Sequence, residues 1–407
     1  MNITLQKSKI AKASIVKITG SKSESNRLLL LQALYPNIEI SNVSNSDDSK
    51  LMQKALSSDS SIVDIHHAGT AMRFLTAYFS LQEGREITLT GSSRMQERPI
   101  KILVDALRDL GADISYLKNE GYPPLKIKGH TLTKHQVTLA ANVSSQYISA
   151  LLLIAPRLKK GIELILKGKI TSVPYIKMTL NLLEQIGVIT SFEDNKIIVN
   201  PINEVAAKKL VVESDWSSAS YFYSIVALSN VGTKIELSSY KLNSLQGDSV
   251  LSTIYKDFGV ETVFNNTSIT LTKVDSQLNN VSYNLANAPD IAQTIAITCL
   301  GLGVSCHLTG LHTLKIKETD RLAALKAEIE KFGTQVEISN DSLTVSKINP
   351  LASKVDVETY HDHRMAMAFA PLAIKTTFNI LEANVVTKSY PDFWNDLKNI
   401  GFNFTEF

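Results

Sequence analysis

Cysteine is nearly absent from this 407-residue chain, which carries only Cys299 and Cys306, both in one apolar stretch. Two such thiols exclude a disulfide framework and a cysteine-built metal site, and they fit a reducing compartment. Also missing is any uninterrupted apolar run of about 18 residues, the usual signature of a membrane-spanning helix. Charge of one sign is not in excess either. The 42 basic and 39 acidic residues leave +3, too little for a nucleic-acid surface, so any basic site must be local. The opening Met1-Asn2-Ile3-Thr4-Leu5-Gln6 alternates like a strand and lacks the pattern of a signal peptide. These absences lead us to expect a soluble cytoplasmic protein with no membrane or nucleic-acid partner.

What is present is ordinary globular composition, 44% hydrophobic and 20% charged, over a length that suits two domains. Internal repetition dominates the pattern. Amphipathic segments at residues 103–110, 180–186, 254–258, 325–332 and 393–400 each run into a glycine. Those glycines are Gly111, Gly187, Gly259, Gly333 and Gly401, 68 to 76 residues apart. A glycine just past a helix takes the left-handed conformation that ends it. Short alternating strands follow each one.

A second helix series interleaves with the first, at residues 23–34, 70–79, 145–154, 217–228, 290–300 and 363–374. From Thr70 onward the starts lie 72 to 75 residues apart. Helices this apolar on all faces belong in a core, yet their first turns are polar. Six polar helix starts imply a polar, anionic target, since free N–H groups and the helix dipole favour negative charge. The pattern predicts an α/β chain of six units of roughly 70 residues, three per domain. No Pro- or Gly-rich linker separates the halves, so close-set crossing strands should join them. The first 19 residues are expected to pair with the second half.

The polar starts carry the chemistry. Gly20-Ser21-Lys22-Ser23-Glu24-Ser25-Asn26-Arg27 sets hydroxyls, a Lys and an Arg at a helix entry, as an anion site needs. His67-Ala68-Gly69-Thr70-Ala71-Met72-Arg73 lets a ligand approach the backbone at Gly69. In Arg94-Met95-Gln96-Glu97-Arg98-Pro99 we expect Arg98 to pair with Glu97 and leave Arg94 for an anion. Ser144-Ser145-Gln146 and Ser172-Val173-Pro174-Tyr175 add hydroxyls and an amide for phosphate or sugar oxygens. Pro289-Asp290 offers a lone carboxylate that nearby cations would keep ionised, a candidate general base. Further anion-site candidates are Lys317-Glu318-Thr319-Asp320-Arg321, His361-Asp362-His363-Arg364 and Lys388-Ser389-Tyr390-Pro391-Asp392. His361 and His363 have no third ligand at suitable spacing, so no metal is expected.

In this order the motifs at residues 20–27, 69–73, 94–99, 143–146, 243–248, 317–321, 362–367 and 388–391 resemble the 5-enolpyruvylshikimate-3-phosphate synthase family, from about Ile3 to about Trp394. The resemblance implies two domains of three βαβαββ-like units, residues 20–212 and residues 1–19 with 213–407. Their buried helices would point at an interdomain cleft, in an inside-out α/β barrel arrangement. It implies closure on substrate by a hinge near residues 19–20 and 212–213. The implied reaction transfers the enolpyruvyl group of phosphoenolpyruvate to the 5-hydroxyl of shikimate 3-phosphate through a tetrahedral ketal, with loss of phosphate and no cofactor, in a monomer.

By the same resemblance Lys22, Gly69, Arg94, Gln146 and Lys388 would contact phosphoenolpyruvate, and Arg321 and Arg364 would hold its carboxylate. Lys22, Ser23, Arg27, Ser144, Ser145, Gln146, Ser172, Tyr175, Asp290, Thr313 and Lys317 would serve shikimate 3-phosphate. Asp290 would take the 5-hydroxyl proton, and Glu318 with Lys22 would protonate the methylene carbon. Glyphosate would occupy the phosphoenolpyruvate site at Gly69. The chain departs from the family pattern at His67, Phe74, Thr313, Val173 and Lys177. Alternatives are the related transferase acting on UDP-N-acetylglucosamine, which typically uses a loop cysteine, and a silent anion-binding homologue. The buried character of Cys299 and Cys306 argues against the first, and retention of every charged site residue argues against the second.

Overall fold

All five helix-ending glycines adopt positive φ: 108° at Gly111, 95° at Gly187, 69° at Gly259, 96° at Gly333 and 113° at Gly401. A side chain there would strain the backbone, so glycine sets where each helix stops. The helices that end near them are Lys101–Leu110, Val173–Gln185, the 3-10 turn Tyr255–Phe258, Arg321–Glu330 and Phe393–Ile400. Strands Asp113–Tyr116, Thr190–Glu193, Val260–Phe264, Val336–Ile338 and Phe404–Glu406 follow. The computed structural model describes residues 1–140, 144–168, 170, 173–346 and 350–407. Its internal contacts separate two units, Gly20–Val212 and Met1–Thr19 with Glu213–Phe407.

Among the described residues five four-stranded sheets share one wiring: a parallel pair, then two antiparallel neighbours. In Gly20–Val212 one sheet runs Ile62–Asp64, Glu86–Thr90, Leu125–Lys128, Asp113–Tyr116. The next runs Gln136–Ala140, Ile162–Lys167, Lys196–Val199, Thr190–Glu193. The strands Ile38–Ser41 and Lys208–Val211 form a parallel pair of their own. In the other unit the chain start completes two sheets. Ala13–Val16 lies parallel to Lys234–Ser238. Ile3–Leu5 inserts between Phe378–Ile380 and Phe404–Glu406, antiparallel to both. Among the described residues every sheet is open, so no sheet closes into a barrel.

The second helix series forms the cores. We label it α1 (Lys22–Leu34), α2 (Gly69–Ser80), α3 (Ser145–Ile154), α4 (Trp216–Leu228), α5 (Ala292–Leu302) and α6 (His363–Phe369). Every residue of α2 and of α4 is buried. Each buried leucine, such as Leu151, Leu152 or Leu153, contributes about 1.5–3 kcal/mol of apolar burial. Helices α1, α2 and α3 pack on one another, and in the other unit α5 packs on α4 and α6. Small hydroxyls line these contacts and satisfy each other, as buried polar groups must. Ser220 meets Thr294 at 3.0 Å, and Thr298 donates to Ser224 at 2.8 Å.

Candidate active site

In the unit Gly20–Val212 the predicted residues sit at or near helix starts. Gly20 precedes α1 because a Cβ there would collide with the Asn42 carbonyl. Lys22 Nζ stands 3.7 Å from Asp48 Oδ2, and Asp48 lies in the first turn of the Ser46-capped helix Asp47–Leu56. Arg27 is 2% exposed. It donates through Nε to Thr179 Oγ1 at 2.8 Å, through Nη1 to the Ser23 carbonyl at 2.7 Å, and through Nη2 to Ser149 Oγ at 2.9 Å. Burial pulls its pKa down to about 10, against the attraction of Tyr175 and Glu24, and it stays protonated at neutral pH. Its guanidinium lies 5.3 Å from the Phe74 ring centre and 6.0 Å from that of Tyr175. Phe74, a departure from the family pattern, therefore supplies a π face to a buried cation.

Helix α2 begins without a side-chain cap, since Ala68 stands at its N-cap. Its first N–H groups therefore face outward with no helical partner. Gln146 Nε2 reaches Thr70 Oγ1 at 3.2 Å, which joins the start of α3 to that of α2. Ser144 caps α3 by accepting from the Gln146 N–H at 3.3 Å, and Ser145 follows it in the first turn. His67 meets His66 with Nδ1 to Nδ1 at 2.8 Å. Tyr175 lies in the first turn of Val173–Gln185, while Ser172 falls outside the described residues.

The arginine pair at residues 94 and 98 differs from the expectation. Glu97 pairs with Arg94, Nη1 to Oε2 at 2.9 Å, in an exposed contact. Arg98 instead lies across Gly69, where a built Cβ would stand 2.6 Å from its Nη1. The reason is local geometry. Ser92 caps a short helix, Ser93–Gln96, that leaves Arg94 and Glu97 on its outer side. Buried Arg73 and Tyr147 then pull the next residue inward, both donating to the Pro99 carbonyl, at 3.0 and 2.6 Å.

The other unit assembles the remaining candidates into one ion network. Asp290 sits in the 3-10 turn Pro289–Ile291 that leads into α5. Its carboxylate meets Arg321 Nη1 at 2.9 Å, Arg364 Nη2 at 3.3 Å and Lys317 Nζ at 3.5 Å. Arg321, 2% exposed, also pairs with Glu318 at 2.9 Å and with fully buried Asp362 at 2.6 Å. Lys388 closes the chain on Glu318 Oε1 at 3.0 Å. Burial alone would raise the Asp290 pKa, but Arg364, Lys317 and Arg321 outweigh it and hold the carboxyl well below the usual range. The Thr313 hydroxyl is shielded and has no hydrogen-bond partner among the described residues. Among those residues no group of three His, Cys, Asp or Glu is placed to hold a metal, and no helix is long and apolar enough to cross a membrane.

Sequence reasoning assigned no role to one member of this network. Asp248, 3% exposed, takes a very short hydrogen bond from Ser217, and Arg364 Nη2 donates to the same Ser217 oxygen at 3.2 Å. Burial and then the Asp290 charge push its pKa up to about 7, against the pull of Arg364. The available signal was the polar start of α4, where Ser217 had no assigned partner.

The sequence profile of EPSP synthase (3-phosphoshikimate 1-carboxyvinyltransferase) matches residues 56–397. A 3-phosphoshikimate 1-carboxyvinyltransferase of Bacteroides fragilis strain YCH46 is 48% identical over 393 residues, covering 95% of each chain. One from Photobacterium damsela subsp. piscicida is 36% identical, covering 95% of this chain and 96% of its own. Among solved structures, EPSP synthase from Acinetobacter baumannii superposes with a TM-score of 0.83 at 20% identity, over all of both chains. The enolpyruvyl transferase NikO of Streptomyces tendae gives 0.75 at 12% identity, over 99% of this chain and 98% of its own. The folds are thus alike, and on the sequence profile and the 48% identity the chain belongs to the EPSP synthase (3-phosphoshikimate 1-carboxyvinyltransferase) family.

Proposed function

We propose that this chain transfers the 1-carboxyvinyl group of phosphoenolpyruvate to the 5-hydroxyl of shikimate 3-phosphate. The observation that carries the reading is Asp290, a partly exposed carboxylate held among Arg321, Arg364 and Lys317 at the entry to α5. Asp290 takes the hydroxyl proton as the 5-oxygen bonds to C2 of phosphoenolpyruvate, and Glu318, aided by Lys22, protonates C3. The ketal then loses phosphate from C2 and a proton from C3, which restores the double bond. Ser23, Arg27, Ser144, Ser145, Gln146, Ser172, Tyr175, Thr313 and Lys317 serve shikimate 3-phosphate. Lys22, Gly69, Arg94, Gln146 and Lys388 serve phosphoenolpyruvate. A family member at 48% identity, and a cysteine pair buried at Cys299 and Cys306, favour this over transfer to UDP-N-acetylglucosamine.

The network also explains how so acidic a group becomes a base. A good general base has a pKa near the working pH, and Asp290 without ligand does not. The substrate carboxylate, held by Arg321 and Arg364, draws on the two arginines that otherwise neutralise Asp290. Its proton affinity therefore rises when phosphoenolpyruvate binds.

Phosphate release from phosphoenolpyruvate, with and without shikimate 3-phosphate, tests the reading. Release should require both substrates and fall by about 10²–10⁴-fold in Asp290→Ala. Release driven by UDP-N-acetylglucosamine would move the assignment to the related transferase. Absence of release with either acceptor, from folded protein that binds shikimate 3-phosphate, would make the chain a silent homologue.

A further inference from the structure

We infer that Glu328 is a positioning residue for the proposed carboxylate clamp: through Tyr360 it braces the segment that carries Asp362 and Arg364 against the helix that carries Arg321. The inference rests on the reading that Arg321 and Arg364 hold the carboxylate of phosphoenolpyruvate. It adds two residues, Glu328 and Tyr360, that the resemblance does not supply.

Three observations carry it. The first is a two-point attachment. Arg321 and Glu328 lie on one face of the helix Arg321–Glu330, about two turns and about 10 Å apart along its axis. At one end Arg321 Nε donates to Asp362 Oδ2 at 2.6 Å. At the other the Tyr360 hydroxyl donates to Glu328 Oε1 at 2.6 Å, and the Glu358 N–H donates to Glu328 Oε2 at 3.0 Å. One contact would leave the segment free to pivot, and two fix its direction.

The second observation is burial. Glu328 is fully buried, and burying a carboxylate is costly unless it is paired. Lys331 Nζ pairs with it at 2.6 Å and donates to the Asp356 carbonyl at 2.9 Å, so even the balancing cation ties the helix to the same segment. The third is the backbone. Tyr360 and His361 take φ of 52° and 54°, two successive side-chain-bearing residues in the left-handed region. Such a conformation persists only where the surroundings hold it. It stands directly before Asp362, which caps α6 by accepting from the Arg364 N–H at 2.9 Å. Release of Tyr360 would let the pair relax and turn Arg364 away from Arg321.

The test compares Tyr360→Phe, Glu328→Ala, their double variant and the conservative Glu328→Gln by steady-state kinetics on the intact chain, with urea unfolding as the check that each is folded. Tyr360→Phe should raise KM for phosphoenolpyruvate by about tenfold, the order expected when a hydrogen bond to a charged group is lost, with KM for shikimate 3-phosphate moved by less than about twofold. Inhibition by inorganic phosphate, competed against phosphoenolpyruvate, should stay as it is, since phosphate makes no use of a carboxylate clamp. A merely destabilised enzyme would instead lose active fraction, which lowers kcat and leaves KM in place. Tyr360→Phe added to Glu328→Ala should change KM by no more than about twofold further, because the two act through one contact. Glu328→Gln should recover part of the loss. An unchanged KM for phosphoenolpyruvate in folded Tyr360→Phe, or phosphate inhibition that weakens in step with it, would overturn the inference, and Tyr360→Phe alone decides if Glu328→Ala does not fold. Wild-type protein that fails to release phosphate from both substrates would overturn the reading beneath it, and the inference with it.

Discussion

Both units bury an arginine at a polar helix start, and they neutralise it by opposite means. Arg321 faces three carboxylates, Asp290, Glu318 and Asp362. Arg27 faces hydroxyls and carbonyls, from Ser23, Thr179, Ser149 and Tyr175. Burial works against the charge in both, but the outcomes diverge: Arg321 is pushed above the ordinary arginine range, and Arg27 drops to about 10. An arginine saturated by acids is a switch, because an incoming carboxylate must compete with its partners. One hydrogen-bonded by hydroxyls and carbonyls, with Glu24 as a nearby acid, keeps more of its field and is suited to holding a phosphate. The difference suits the proposed chemistry, in which the unit with Asp290 must change its proton affinity and the unit with Arg27 need only hold an anion.

The sharpest break of this comparison is to remove each cation. Arg321→Leu leaves buried Asp362 and partly exposed Asp290 with less compensation and should cost about 3–5 kcal/mol in urea unfolding. Arg27→Met leaves hydroxyls that already bond one another, Thr179 to Ser149 at 3.0 Å, and should cost about 1–3 kcal/mol. Equal losses would dissolve the distinction.

Asp248 tests the acidic side by pH. Its folded pKa, about 7, lies above the unfolded value near 3.9, so the folded state holds the proton more tightly. Stability linked to that proton is full below the unfolded value and is lost as pH rises through about 7. Asp248→Asn should therefore gain stability relative to wild type between pH 5 and 8, by on the order of 1–3 kcal/mol. A difference that is flat with pH would show that the carboxyl is ionised in the folded protein throughout.

Phe74→Leu removes one π face from Arg27 and should lower stability by about 0.5–2 kcal/mol, with no matching effect on the carboxylate network. The smallest change is expected from Glu97→Gln, which frees exposed Arg94. Thermal stability should shift by less than about 1 kcal/mol. KM for phosphoenolpyruvate should fall about twofold if Arg94 joins the substrate as proposed, because a competing carboxylate is gone.

Much of this was legible locally. The glycines that end helices could be read from sequence, because capping is decided within a few residues. The six buried helices could be read too, since an apolar surface on all sides has one stable place. Charge pairing was not legible in the same way. Glu97 lies within reach of two arginines in sequence, and only the grip of Arg73 and Tyr147 on Pro99 decided between them.

By itself, then, the sequence determined the repeat, the helix ends, the apolar helices and the residue types at their starts, because each depends on near neighbours or on the periodicity of burial. Tertiary structure decided which partner each charge took. It alone buried Arg27 beside Phe74, linked Asp248 to Arg364 through Ser217, and placed Ile3 opposite Ile380 in a sheet. Pairing energies inside a protein depend on distance and burial, and the chain sets both only once it has folded.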